Sequence, residues 1–228
     1  MLTTEMKKII SDAGETGWVL EPLAKQLFSM GGLDVPQFGW TRTEEEAVRF
    51  AEEIGYPVVC KVVSSRVMHK SDRDGVAVGI DSDGRVSKTF ARFSRIEGFA
   101  GMLIEQVLSG VELIVGAKID YQFGPVILLG MGGTGVEIYR DVALRMAPLS
   151  EGDVVSMIRS LKAHQILEGY RGSEPVSVKE LTQLLARFSG MVMDLQDMIE
   201  SIDLNPVICS STQCIVADAR IILRQKES

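Results

Sequence analysis

The sequence predicts an α+β fold of two lobes, and three observations carry that prediction. Amphipathic helical stretches alternate with short β-branched runs along 228 residues. In the second half, consecutive strand candidates abut without an intervening helix, which favours antiparallel pairing over a doubly wound sheet. The length suits one large domain or two small lobes sharing a cleft. The lobes are expected to divide near residue 105, giving an N-terminal lobe of residues 1–105 and a C-terminal lobe of residues 106–228.

The stretch TRTEEEAVRFAEEIG predicts a helix. Thr43 and Glu46 have capping-box spacing, Ala47, Phe50, Ala51 and Ile54 share a face, and Gly55 stops the helix. YPVVCKVV is apolar and β-branched, so it predicts a strand, and DGVAVGI predicts its continuation after a polar loop. RVSKTFARFSRI predicts a short helix. GMLIEQVL and VELIVGAKI predict two strands, with Ser109-Gly110 between them as the turn of a hairpin. GPVILLG is a short apolar strand that empties into the glycine-rich GMGGTGVE, and VALRMAPL is another strand. Ser150 and Asp153 open a helix. Ser177 and Glu180 cap a longer one, with Val178, Leu181, Leu185, Phe188, Val192 and Leu195 on one stripe. IESIDL and QCIVADARIIL end the chain as strands joined through NPVICSST.

Composition is that of a globular protein, 46% hydrophobic and 24% charged. A net charge of −7 argues against a nucleic-acid or anionic-membrane surface, while leaving room for a locally basic cleft. No apolar run reaches bilayer length, and the N-terminal MLTTEMKKIISDAGETG turns polar too early for a secretory signal, so the cytoplasm is the expected location. Cys60, Cys209 and Cys214 form no C-x-x-C pair and are expected to be reduced, buried thiols.

Several residues carry chemistry or a structural alternative. Lys61 stands inside an apolar strand, where its ammonium needs either solvent at a sheet edge or an anion such as phosphate. His69 and Lys70 follow in a polar loop that is either a solvated turn or a cationic segment able to accept or relay a phosphoryl group. Gly132 and Gly133 belong to a loop whose backbone N–H groups can approach an anion, although a tight turn explains it equally. Arg145 is a second cation in an apolar run. Asp203 and Asn205, two apart on a strand, and Asp218 on the strand expected to return beside it offer three oxygens suited to magnesium; a surface hairpin fits the same spacing. Glu105 and Glu112 are exposed strand glutamates or, in a nucleotide site, neighbours of adenine and ribose.

Taken together, GYPVVCKVVSS…HKSD, GVELIVGAKIDYQFGPVILLGMGGTGVEIYRDVALRMAPL, GYRG and SIDLNPV…VADARI resemble the ATP-grasp subunit of ADP-forming acyl-CoA (acetate–CoA) ligases, and more distantly the β-subunit of succinyl-CoA synthetase. The resemblance runs from about Glu21 to Leu223. It implies an ATP-grasp fold whose two α+β lobes clamp ATP with Mg2+. It implies that Lys61 and Arg145 contact phosphates, that Glu105, Gln106 and Val107 lie along adenine, and that Glu112 meets the ribose. Asn205 and Asp218 fall where the family holds magnesium, with Asp203 as a third or outer ligand, and His69 matches a histidine that carries phosphate toward a partner subunit.

Two departures are visible: after HKSD, Asp74 stands where the family pattern has a glycine, and the stretch between Ile80 and Gly101 is short for the family. The implied activity is ADP-forming acid–thiol ligation, with a CoA-binding alpha subunit completing a hetero-oligomer. A free-standing ATP-grasp carboxylate ligase that needs no His69, and a nucleotide-sensing subunit without turnover, are the rival readings.

Overall fold

Two antiparallel sheets organise the chain, and each gathers its own helices. The computed structural model describes residues 2–68, 70, 73–133 and 141–225. In chain order the elements are α1 (Thr4–Asp12), β1 (Trp18–Val19), α2 (Glu21–Met30), β2 (Phe38–Thr41), α3 (Glu44–Ile54), β3 (Val58–Ser64), β4 (Val76–Ile80), α4 (Asp83–Phe93), β5 (Phe99–Gln106), β6 (Val111–Asp120), β7 (Gly124–Met131), β8 (Val142–Met146), α5 (Glu151–Ser160), α6 (His164–Leu167), α7 (Val178–Leu195), β9 (Ile199–Cys209), β10 (Cys214–Val216) and β11 (Arg220–Leu223).

The chain forms two compact units, Pro36–Leu108 and the combination of Met1–Val35 with Ser109–Ser228. The smaller carries the sheet β2-β5-β3-β4, with α3 and α4 on one face. That face buries Val58, Cys60, Val62, Met102 and Ile104 against Ala47, Ala51, Val86 and Phe93. The alternation of apolar and polar positions sets the register, because a slip of one residue would turn this set away from the helices. Thr43 caps α3 as its sequence predicts, its hydroxyl accepting from the Glu46 N–H at 3.2 Å.

The larger unit carries β1-β11-β9-β6-β7-β8, with β10 paired to β9. Its helical face buries Leu113, Val115, Ile127, Leu129, Ile202 and Leu204 with residues of α2, α5 and α7. Phe28 of α2 and Phe188 of α7 meet there with ring centroids 6.3 Å apart. Each such side chain contributes about 1.5–3 kcal/mol by leaving water. The predicted α7 stripe is buried from Leu181 to Leu195, while Val178 at its start is exposed.

Three expectations change. The lobe expected over residues 1–105 does not include the first 35 residues, because β1 pairs with β11 and α2 packs into the larger unit's core. Ser109-Gly110 is not a hairpin turn: β5 pairs with β2 and β3, and β6 with β7 and β9, so these residues lead from one sheet into the other. Asn205 to Cys209 continue β9 instead of linking two strands.

Sequence reading passed over α2 and the fully buried Lys25 within it. Its ammonium meets Glu21 Oε1 at 3.0 Å, one helical turn back. All three cysteines are buried and free. Burial pushes the Cys60 thiol up to about 12, and the neighbouring Cys214 together with burial raises Cys209, so neither is a thiolate at neutral pH. No helix among the described residues is long and apolar enough to cross a membrane.

Candidate functional site

In the smaller unit the central strand β3 turns Val58, Cys60 and Val62 toward the helices, so Lys61 points to the other face. It is not an edge lysine reaching for water. Its side chain is 8% exposed, and its ammonium meets Glu105 Oε2 at 2.9 Å, with Glu105 3% exposed. Glu105 sits on β5 with Val59 as its register partner and Leu103 as that of Lys61, which makes the pair diagonal across neighbouring strands. An anion does therefore meet the buried ammonium, and it belongs to the protein. The reading of Glu105 as an exposed strand glutamate is corrected: it is buried and its carboxylate holds Lys61. An ammonium has three N–H donors, so a carboxylate and a phosphate oxygen can be served together.

Gln106 is also committed within the unit. Its backbone N–H donates to Gln37 O at 3.2 Å, and its side-chain oxygen accepts from the Gln37 N–H at 3.1 Å. Val107 lies just past the end of β5 and is 40% exposed.

His69 lies outside the described residues. Lys70 O accepts from the N–H groups of Arg73 at 3.1 Å and Gly75 at 2.8 Å. Asp74 has φ of 51°, the left-handed conformation that glycine adopts freely and aspartate tolerates better than most residues. A Cβ at Gly75 would stand 2.5 Å from Val62 Cγ1 and 2.9 Å from Lys70 O, so the loop closes tightly against β3 at this point.

In the larger unit the register Leu128–Gly116–Asp203–Arg220 runs across the face of the sheet away from the helical core. Glu112 lies on the same face of β6, two alternations from Gly116. The N–H of Gly132 donates to Glu112 O at 2.7 Å, and a Cβ there would stand 2.7 Å from the Glu112 carbonyl carbon. Gly133 follows with φ of 92° and Glu112 Oε2 as its nearest side-chain neighbour. The first glycines of the loop are therefore pinned to β6 beside Glu112; residues 134–140 lie outside the described residues.

Asn205 is exposed on β9, two residues beyond Asp203. Asp218, two residues before Arg220, donates its backbone N–H to Pro206 O at 3.3 Å. Pro206 O, next to Asn205, accepts from the N–H groups of Ala217 at 3.0 Å and Asp218, so the backbone around Asp218 lies against this end of β9. Asp203, expected as a third or outer ligand, is paired within the sheet: Arg220 Nη2 reaches its Oδ2 at 2.9 Å. No cluster of three or more His, Cys, Asp and Glu suited to a metal occurs among the described residues. The donor set is one amide oxygen and one carboxylate. That fits Mg2+, which keeps waters and takes phosphate oxygens, and does not fit an ion needing an all-protein cage.

Arg145 is separated from this set. Its register partner is Ile127, on the helical face, and its guanidinium donates to Ser156 Oγ of α5 at 2.7 Å and to Leu144 O at 2.8 Å. The phosphate contact that the resemblance implies for Arg145 belongs with the proposed function; in this structure its guanidinium is held by Ser156 and Leu144 O. The alternation of β8 carried the signal for its facing, since Ala143 and Arg145 share a side.

Two further residues escaped the sequence reading. Arg220 is the register partner of Asp203 across the β9–β11 ladder, a link that depends on strand pairing and not on local spacing. Asp141 accepts from the backbone N–H groups of Lys162 at 2.7 Å and Ala163 at 2.8 Å, tying the start of β8 to the turn before α6; no local pattern announces that link.

The ATP-grasp domain family profile matches residues 11–223. The chain is 39% identical over 226 residues to the beta subunit of Acetate--CoA ligase [ADP-forming] I from Pyrococcus furiosus, covering 95% of this chain and 97% of that one. A solved structure of a Ca. Korarchaeum cryptofilum dinucleotide-forming acetyl-coenzyme A synthetase 1, in complex with coenzyme A and Ca-AMPCP, superposes with a TM-score of 0.89 at 41% identity, covering 96% and 99% of the two chains. Another structure of that enzyme, with coenzyme A and Mg-AMPPCP and a phosphohistidine segment pointing towards the nucleotide binding site, gives a TM-score of 0.84 at 41% identity over 96% of this chain and 100% of that one. With its two α+β units and its near end-to-end match, the chain belongs to the ATP-grasp family, among the beta subunits of ADP-forming acetate–CoA ligases.

Proposed function

We propose that this chain is the nucleotide-binding subunit of an ADP-forming acyl-CoA ligase. The overall reaction is carboxylic acid, CoA and ATP giving acyl-CoA, ADP and phosphate, reversibly. What supports the reading is Gly132 held to the Glu112 carbonyl at 2.7 Å, with Asp203 and Asn205 on β9 and Asp218 bonded to Pro206 O in the same unit. This occurs in a chain that matches a named beta subunit along nearly its whole length.

In this reading Asn205 and Asp218 hold Mg2+, which neutralises phosphate charge when bound. Lys61, oriented by Glu105, donates to a phosphate oxygen. Glu112 accepts from the ribose hydroxyls, and Gly132 and Gly133 give the backbone room beside it. Val107 follows the hinge-side strand and meets the adenine edge together with the backbone of Glu105 and Gln106. His69 takes the γ-phosphoryl group: its ring nitrogen forms the N–P bond as the bond to ADP breaks, and the ring N–H proton leaves to solvent. The group then passes to a CoA-binding alpha subunit, where acyl-CoA forms and the imidazole is restored. A hetero-oligomer in the cytoplasm, where ATP and CoA are available, goes with this assignment.

The test is ADP release from Mg-ATP, acetate and CoA by the chain with and without the alpha subunit. Turnover should need both chains and fall by about three orders of magnitude or more in His69→Ala. Full activity of His69→Ala would favour a carboxylate ligase that needs no phosphohistidine. Nucleotide binding without turnover in the complete complex would favour a sensing subunit.

A further inference from the structure

The geometry points to a second binding site, a cleft between β4 and α4 of the smaller unit that takes an extended acidic peptide segment. The cleft encloses about 470 Å³ and is lined by Val76, Val78 and Ile80 from the strand and by Arg85, Lys88 and Arg92 from the helix. No carboxylate lines it, although the chain as a whole carries a net charge of −7. The three cations fall at i, i+3 and i+7 and so form one stripe along α4, roughly 10 Å long. Arg85 is paired with Asp81 at 3.1 Å, but both side chains are more than half exposed, and an incoming carboxylate competes with such a pair at little cost. Among the described residues no carboxylate forms an ion pair with Lys88 or Arg92.

The other wall supplies a backbone. β4 ends the strand order of its sheet, so among the described residues one of its edges has no partner strand. Its sequence, VAVGI, lacks the charges and proline that usually guard an edge. Val78 is 66% exposed, an unusual position for valine within a strand. The register shift between Val58 and Cys60 places Val78 and Gly79 in a bulge, which leaves Val76 and Ala77 as the regular part of the edge and turns Val78 outward beside it.

An added strand would lay alternate side chains toward α4 at roughly 7 Å intervals, close to the spacing of the cationic stripe. Carboxylates at those positions meet Arg85, Lys88 and Arg92 while the intervening apolar residues cover Val78. A compact polyanion would answer the cations and leave the strand edge and apolar wall unused, so a peptide uses more of the site.

The site shares no residue with the nucleotide set, and its test needs no turnover. A fluorescein-labelled Val-Glu-Val-Glu-Val-Glu peptide is titrated into the full chain and followed by anisotropy, beside its glutamine counterpart and a copy N-methylated at alternate amides. The glutamate peptide should bind about tenfold or more tightly than either relative, and weaken at about 0.5 M salt. Lys88→Glu with Arg92→Glu should lower affinity by about tenfold or more, with circular dichroism confirming the fold. Equal binding of the glutamine peptide, equal binding of the N-methylated copy, or displacement of the peptide by tripolyphosphate at equal concentration would each overturn the proposal. The last of these would assign the cleft to small polyanions. Because two arms change only the peptide, the inference stays testable even if the double variant folds poorly.

Discussion

Lys61→Met is expected to cost about 3–5 kcal/mol of folding stability and to abolish turnover. The stability loss follows from burial. Glu105 is 3% exposed and accepts from the Lys61 ammonium at 2.9 Å, so removing the cation takes the counter-charge from a buried carboxylate. Glu105→Gln strands the ammonium instead and should cost a similar amount. The pair itself is worth far less than either single loss suggests, since two buried charges lose hydration that their attraction only about repays. Lys61→Met combined with Glu105→Leu should therefore recover most of the stability seen in urea unfolding. It should not recover turnover, because the phosphate contact is gone. Wild-type unfolding midpoints in both single variants would show that the pair is solvated in solution, and recovery of activity in the double variant would remove Lys61 from the nucleotide set.

Asp218→Asn is expected to lower Mg-ATP-dependent turnover by about 100-fold or more, with a raised Mg2+ requirement and an unchanged unfolding midpoint. Asp218 is partly exposed, so neutralising it is tolerated by the fold. Asp203 provides the contrast. It lies on the same face two residues from Asn205, yet Arg220 holds it at 2.9 Å. With both partners part-exposed, loss of that ion pair is worth at most about 1 kcal/mol. Asp203→Asn should leave the Mg2+ requirement near its original value. If the two variants shift that requirement equally, Asp203 is a ligand and Arg220 only its partner in the absence of metal.

Much of the fold is legible from local pattern. Thr43, Ser150 and Ser177 each cap the helix their spacing announces, because an N-cap satisfies backbone donors within one turn and needs nothing from afar. β3, β7 and the α7 stripe follow from alternation and helical period for the same reason. Pairing was not legible. Ser109-Gly110 has hairpin chemistry, yet the strands on either side join different sheets, a choice made by long-range packing. The first 35 residues join the larger unit through β1 and α2, whose partners lie far along the chain. In the site, the closeness of Asn205 to Asp218 could be read from their strands. The roles of Arg220 and Glu105 as partners of Asp203 and Lys61 could not, because a side chain's partner across a ladder depends on register. The Ser156 partner of Arg145 was not legible either, because it depends on how α5 packs beside β8.

The most direct measurement is a calorimetric titration of the full chain with AMPPCP, with and without Mg2+. One nucleotide should bind per chain, more tightly with Mg2+, and Asp218→Asn should remove the metal's contribution while leaving the metal-free affinity unchanged. Failure of the wild-type chain to bind nucleotide, or an identical magnesium effect in wild type and Asp218→Asn, would contradict the assignment of this face to a metal–nucleotide.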